Sequence, residues 1–268
     1  MSPTRRPPPI LAATVIALAL LLRSHAAEAP APAFAADLAS RLSALYQNGS
    51  TYVRARMEIK GATKETLQLQ IKQRRTKSST DILYQVLFPK DRKGESVLLR
   101  KTGDRPASGL IFTPPATVRP VESMKSPLLG SDLTCEDIVE NFFAWDSQAI
   151  AGTAVVDGVN CTILESKPGK GERSSYGSVR TWVDTRRTVP LRVEKYSSSG
   201  QLLRRIDTTR VVPDAGNHIP ANLVVHGALP NLTTELEGSR IRHDVTFTDA
   251  DFSEEGLKQM SAPRGSGE

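Results

Sequence analysis

The stretch TYVRARMEIK, Thr51 to Lys60, decides the architecture. Val53, Ala55, Met57 and Ile59 alternate with Arg54, Arg56, Glu58 and Lys60. A period of two, apolar on one side and charged on the other, is the pattern of a half-buried antiparallel strand. After a turn at Gly61 the pattern returns in ETLQLQIK (65–72), where Leu67, Leu69 and Ile71 alternate with Thr66, Gln68, Gln70 and Lys72. DILYQVLF (81–88), SVLLR (96–100), GLIF (109–112) and ATVRPV (116–121) follow, with Gly94, Gly103 and Pro114-Pro115 as punctuation. Further along come AIAGTAVV (149–156), VNCTILES (159–166), SVRTWVD (178–184), PLRVEKY (190–196), QLLRRIDT (201–208), ANLVVHG (221–227), LTTELEG (232–238) and SRIRHDVTF (239–247). Asp157-Gly158 between two such runs is a hairpin signal. The chain reads as mainly β, one continuous antiparallel sheet without an interdomain linker.

Helical periods appear at three places. Phe34, Leu38, Leu42 and Leu45 mark an amphipathic helix ended by Asn48-Gly49. The tail DADFSEEGLKQM (249–260) reads as a short helix capped at Ser253. Between the two groups of strands lies GSDLTCEDIVENFF, Gly130 to Phe143, which suits a short helix with Thr134 as N-cap. Acids Glu136 and Asp137 fall in its first turn, where the helix dipole favours them. The basic run Lys72-Gln73-Arg74-Arg75-Thr76-Lys77 reads as a solvated hairpin end.

Ahead of the domain, Arg5-Arg6, an apolar run from Ile10 to Leu22 and the small residues around Ser24-His25-Ala26 form the pattern of a secretory signal peptide, residues 1–26. The run is short for a membrane span; an uncleaved anchor is the alternative. Residues 27–33 read as a Pro/Ala linker, 34–260 as the single domain, and 261–268 as a disordered end. Loss of the leader removes Arg5, Arg6 and Arg23 and lowers the formal charge from +6 to +3. So weak a positive balance does not point to nucleic acid. Cys135 and Cys161 in an exported chain leave a disulfide open.

Catalytic patterns are missing from the sequence. The histidines after the leader, His218, His226 and His243, have no helical partner four residues away, and no HExxH, CxxC, GxSxG, P-loop or GxGxxG occurs. Neither a metal nor a cofactor is expected. A thiol nucleophile at Cys135 or Cys161 has no local signature, and acids at a helix start are what helix energetics alone selects.

The run Gly130-Ser131-Asp132-Leu133-Thr134-Cys135-Glu136-Asp137-Ile138 resembles a segment of the LolA-like outer-membrane lipoprotein-sorting proteins, in their larger bacterial branch. Leu133 and Cys135 stand where that family tends to carry aromatics. Phe88-Pro89 with Gly94 and Val97-Leu98-Leu99, then Phe112 and Pro114 with Val118-Arg119-Pro120-Val121, keep the family's order. So do Trp182-Val183-Asp184, the block Pro190 to Tyr196 with Gly200-Gln201-Leu202, and Phe247-Thr248 with Phe252 and Leu257. The resemblance implies an incomplete antiparallel β-barrel, a half-barrel with short helices covering a hydrophobic cavity. It implies a periplasmic, non-enzymatic carrier of lipoprotein or other lipid acyl chains, working between an inner-membrane ABC exporter and an outer-membrane acceptor. Gly130, Ser131, Asp132, Glu136 and Asp137 are the family motif. Met57, Ile59, Leu67, Leu69, Trp182, Leu191 and Val193 are the expected cavity wall, with packing of the sheet against its helices as the alternative for each. A sensor of lipoproteins that regulates an envelope-stress or sigma-factor partner is the second function open at this point, and a secreted hydrolase the third.

Overall fold

In the computed structural model, residues 32–260 are described apart from 48, 77, 104 and 228–230. The expected leader and the expected disordered tail lie outside the described residues. The two opening strands, β1 (Gly49–Lys60) and β2 (Lys64–Arg75), pair as the alternation predicts: Val53 faces Ile71, Ala55 faces Leu69, and Met57 faces Leu67. The chain then meanders outward through β3 (Ser79–Phe88), β4 (Ser96–Thr102), β5 (Ser108–Thr113) and β6 (Thr117–Pro120). Residues 121–146 cross to the far edge, carrying helix α2 (Cys135–Val139) and a 3-10 turn at Phe142–Ala144. From there β7 (Ser147–Val156), β8 (Val159–Lys167), β9 (Ser178–Asp184), β10 (Val189–Tyr196), β11 (Leu202–Asp214), β12 (Asn217–His226) and β13 (Thr233–His243) meander back until β13 pairs with β1.

The result is one antiparallel sheet of 13 strands in the order β6-β5-β4-β3-β2-β1-β13-β12-β11-β10-β9-β8-β7. Its edges, β6 and β7, do not pair with each other, so the barrel is incomplete. Between β7 and β8 the turn residues Asp157 and Gly158 have φ of 48° and 79°. Two left-handed residues give the turn whose twist matches a hairpin, and glycine takes the second at no steric cost.

Three packed layers occupy the two faces. On the inner face of β1–β4, Ala55, Met57, Ile59, Leu67, Leu69, Ile71, Ile82, Tyr84, Val86, Val97 and Leu99 pack against the crossing segment, through Leu128, Leu129, Leu133, Cys135 and Val139. At the other end of the same face, helix α1 (Pro32–Gln47) packs on Leu164 and Val183 with Phe143. On the outer face, Leu83, Leu98 and Phe112 are covered by Phe252 and Leu257 from a 3-10 turn (Asp249–Phe252) and helix α3 (Glu254–Lys258).

Several expectations change in detail. Helix α1 starts at Pro32, inside the segment read as linker. Its buried stripe is Ala35, Leu38, Ala39 and Leu42, while Phe34 and Leu45 are exposed at its margins; the small alanines allow the helix to approach the sheet closely. The two segments around Ser239 form one strand, β13, with an irregularity opposite Arg54 and Ala55. Within the basic run, Lys72, Arg74 and Arg75 are not simply solvated. Lys72 is buried and reaches Asp251 at 3.0 Å, Arg74 pairs with Asp81 and Asp249, and Arg75 donates to the carbonyl of Ile138. The long basic side chains fasten the crossing segment and the C-terminal turn to the two faces of β2.

Candidate functional site

Where the crossing segment stops covering the inner face, the sheet is left open. A groove of about 370 Å³ lies there, walled by Val53, Ala55, Ile71, Leu223, Leu236 and Ile241. These residues come from β1, β2, β12 and β13, and pair in register: Val53 with Ile241, Leu223 with Leu236. Alternation puts them on one side of the sheet, continuous with the apolar layer beneath the crossing segment. Val212, Pro213, Ile219 and Pro220 from the β11–β12 hairpin close one end, together with Arg210 and Asp214. The floor is hydrocarbon and the end is charged.

The predicted wall residues are divided by the fold. Met57, Ile59, Leu67 and Leu69 lie together on the inner face, adjoining the groove and packed under the crossing segment. Val193 shares that side farther along, with Trp145, Tyr176 and Val179. Trp182 and Leu191 are in a separate cluster with Val156, Cys161 and Val189. Val183 packs under α1, so its neighbour Trp182 faces the other way. A bulge between Pro190 and Arg192 carries Leu191 out of the alternation. Sequence reading missed Val53, Ala55 and Ile71 as groove residues although it had placed them on the right strand faces.

The family motif holds the crossing segment in place. Gly130 has φ of 85°, in the left-handed region open to glycine, and Ser131 Oγ donates to the Leu128 carbonyl at 2.7 Å. The backbone N–H of Asp132 donates to Thr234 Oγ1, and its carbonyl accepts Arg204 Nε at 2.6 Å. Thr134 caps α2 and, in return, its own N–H donates to Asp137 at 2.8 Å. Glu136 is buried and accepts Ser174 Oγ and the Ser175 N–H.

Asp137 is the centre of this joint. Its carboxylate takes Lys195 Nζ at 2.7 Å, an Arg204 guanidinium nitrogen at 3.0 Å and the Tyr176 hydroxyl at 2.7 Å. Lys195 and Arg204 stand directly opposite one another across β10 and β11. Two like charges so placed repel; a buried carboxylate between them makes the arrangement tenable. Burial by itself would raise the Asp137 carboxyl, but the charges of Lys195 and Arg204 and its hydrogen bonds outweigh that and hold it below the usual carboxylate range. The signal in the sequence was Lys195 at the same alternation as Val193, a cation aimed at the core while its neighbour Glu194 faces the other side of the strand.

Cys135 and Cys161 are both buried and unpaired with each other, so the disulfide left open by the sequence does not form. Burial, and after it the charge of Asp137, pushes the Cys135 thiol up to about 11, far from a thiolate nucleophile. Burial also raises Cys161. Among the described residues no group of three His, Cys, Asp or Glu could hold a metal ion, and no helix is long and apolar enough to cross a membrane.

Residues 78–259 match the model of a family described as "Uncharacterized protein". No curated protein matches the chain. Among solved structures, a DUF1329 family protein from Desulfovibrio piger is 24% identical with a TM-score of 0.77, over 84% of this chain and 98% of that one. A domain from Vibrio parahaemolyticus assigned to outer membrane lipoprotein sorting is 19% identical with a TM-score of 0.76, over 85% of this chain and 100% of that one. A LolA superfamily protein from Nitrosomonas europaea is 18% identical with a TM-score of 0.66, over 83% and 98%. These likenesses establish the fold: an unclosed, mainly β sheet of the LolA type.

Proposed function

Because the chain belongs to the family whose model spans residues 78–259 and folds as the LolA-like lipoprotein-sorting proteins do, we propose that it is a periplasmic carrier of lipid-anchored cargo. The observation that supports this reading is the open apolar groove on the inner face of an incomplete barrel. Moving an acyl chain out of water is worth about 0.8 kcal/mol per CH₂, on the order of 10 kcal/mol for a whole chain. Lipid therefore does not cross an aqueous compartment without an apolar host. A chain seated on Val53, Ala55, Ile71, Leu223 and Leu236 would extend toward Met57, Leu67 and Leu69 if the crossing segment lifts, and Leu128, Leu129 and Leu133 are the side chains it would replace. Release needs only a partner that shields the chain better. An inner-membrane ABC exporter as donor and an outer-membrane acceptor fit the two ends of such a transfer, and no bond is made or broken in it.

Leu223→Glu tests the site. Leu223 is half-buried on the groove wall, so the variant should fold while placing a carboxylate against the hydrocarbon, which is strongly unfavourable. Gln68→Glu adds the same charge at an exposed position of β2. With both variants folded by circular dichroism, binding of a fluorescent fatty acid should fall more than tenfold for Leu223→Glu and stay at the wild-type level for Gln68→Glu. Equal binding by the two, or none by the wild-type protein, would remove the carrier reading.

A further inference from the structure

The face of the sheet turned away from the groove carries a cluster of arginines. Leu83, Lys72, Tyr52 and Arg242 follow one another in register across β3, β2, β1 and β13. All four therefore stand on the outer face, where Phe252 covers Leu83. The neighbouring row on that face is Gln85, Gln70, Arg54 and Arg240. Tyr52 is only 3% exposed and anchors the group. The guanidinium of Arg54 lies 5.8 Å and that of Arg242 5.9 Å from its ring centroid. Arg54 Nε donates to the Tyr52 hydroxyl at 2.7 Å, and that hydroxyl donates to Gln70. Elsewhere on this face arginines are matched by acids: Arg56 by Glu58 and Glu237, Arg74 by Asp81 and Asp249, and Arg100 by Asp81. Arg54 and Arg240 are exposed, stand directly opposite one another, and form no ion pair among the described residues. Like charges so placed are unfavourable unless something negative is brought to them.

We infer that this outer face docks an extended acidic segment of a partner protein, whose carboxylates meet Arg54, Arg240 and Arg242. Arg240 and Arg242 are alternate residues of β13, so they repeat at about 6.7 Å along the strand. An extended peptide with acids at alternate positions repeats at that same interval. Guanidinium forks accept carboxylates in a bidentate way, and the Tyr52 contacts hold the Arg54 fork in place beforehand. The molecule already uses this chemistry one strand away, where Asp251 and Asp249 of the C-terminal turn seat on Lys72 and Arg74. That turn also decides against a membrane as the partner. It stands on the same face with Asp249, Glu254 and Glu255 exposed, so a flat anionic bilayer would meet acids before it met the arginines. A narrow peptide can lie along β1 and β13 beside the turn. Because the groove opens on the opposite face, the partner could bind without covering it.

The experiment uses the whole protein and a fluorescein-labelled peptide, Gly-Glu-Ser-Glu-Ser-Glu-Gly, with the same peptide carrying Gln for each Glu as its comparison. Fluorescence anisotropy reports binding. Wild-type protein should prefer the Glu peptide by about tenfold or more, the scale of one charge-assisted hydrogen bond. The preference should fade at about 1 M salt, where charges are screened within about 3 Å. Arg54→Gln with Arg240→Gln should abolish it. Arg240→Gln alone should weaken it and melt no lower than wild type, since it relieves a repulsion and breaks no ion pair; a residue serving only the fold would lower Tm. Arg105→Gln with Arg119→Gln, which removes the same charge from exposed positions elsewhere, should keep the preference. Binding of neither peptide, or equal binding of both, overturns the inference. So does loss of preference in the Arg105 and Arg119 control, which would assign the effect to net charge. Binding to phosphatidylglycerol vesicles over phosphatidylcholine vesicles that depends on Arg54 and Arg240 would assign the face to a membrane and overturn it as well. Fatty-acid binding in the groove enters none of these results, so the carrier reading stands or falls separately.

Discussion

Substitution of Asp137 by alanine tests whether the joint under the crossing segment is an ion cluster on which the fold depends. The carboxylate is fully buried and receives Lys195 at 2.7 Å and Arg204 at 3.0 Å, whose side chains are only 3% and 11% exposed. Its removal leaves two facing cations in the interior with no counter-charge. Breaking a buried pair in this way costs about 3–5 kcal/mol. At about 2–4 °C per kcal/mol for a domain of this size, Tm should drop by roughly 6–20 °C. Lys195→Met removes one of the stranded charges, so the double variant should be more stable than the sum of the two single effects. The pH dependence has a definite sign. The folded Asp137 carboxyl lies below its unfolded value, so its contribution is present above the ordinary carboxylate pKa of 3.8 and is lost as pH falls through the lower, folded value. Wild-type protein should therefore lose stability on acidification below about pH 4 more steeply than Asp137→Ala. Thermal melts by circular dichroism between neutral and acid pH measure both effects. A variant melting within 2 °C of wild type (roughly 1 kcal/mol or less), with the same acid slope, would refute the reasoning.

Two further outcomes follow from the division between faces and from the buried thiol. Phe252→Ala should cost about 3–5 kcal/mol, because the ring is 1% exposed against Leu83, Leu98 and Phe112. Under conditions where the variant stays folded, fatty-acid binding should be unchanged, since Phe252 covers the outer face; a binding defect in the folded variant would contradict that placement. Cys135→Ala should cost about 1–2 kcal/mol through lost packing and retain binding, and the native thiol should resist alkylation by iodoacetamide at neutral pH. Rapid alkylation of folded protein would mean that Cys135 is neither buried nor held as a thiol.

The sequence by itself determined the kind of sheet. In Val53 to Ile59 and Leu67 to Ile71 the side-chain period is two, and one slip would turn every apolar residue to water, so strand identity, face and the β1–β2 register are all written locally. Asp157-Gly158 likewise fixed its own turn, and Thr134 with Asp137 its own helix start. Which strands meet at long range was not local information. The return of β13 to β1, the unclosed edges and the groove exist only once the crossing segment spans the molecule. Alternation also fails wherever a bulge adds a residue, which is why Leu191 left the face assigned to Met57 and Leu67; Trp182 keeps the alternation and lies on the face opposite to its neighbour Val183. Charged residues were the least legible. Lys72 and Arg74 read as solvated and Asp137 as an ordinary helix-start acid, yet each is defined by a partner far along the chain, Asp251, Asp249 and the Lys195–Arg204 pair. A hydrophobic side chain needs only to leave water, and its pattern says so. A buried charge needs one particular opposite charge at hydrogen-bond distance, and only the tertiary structure decides which one that is.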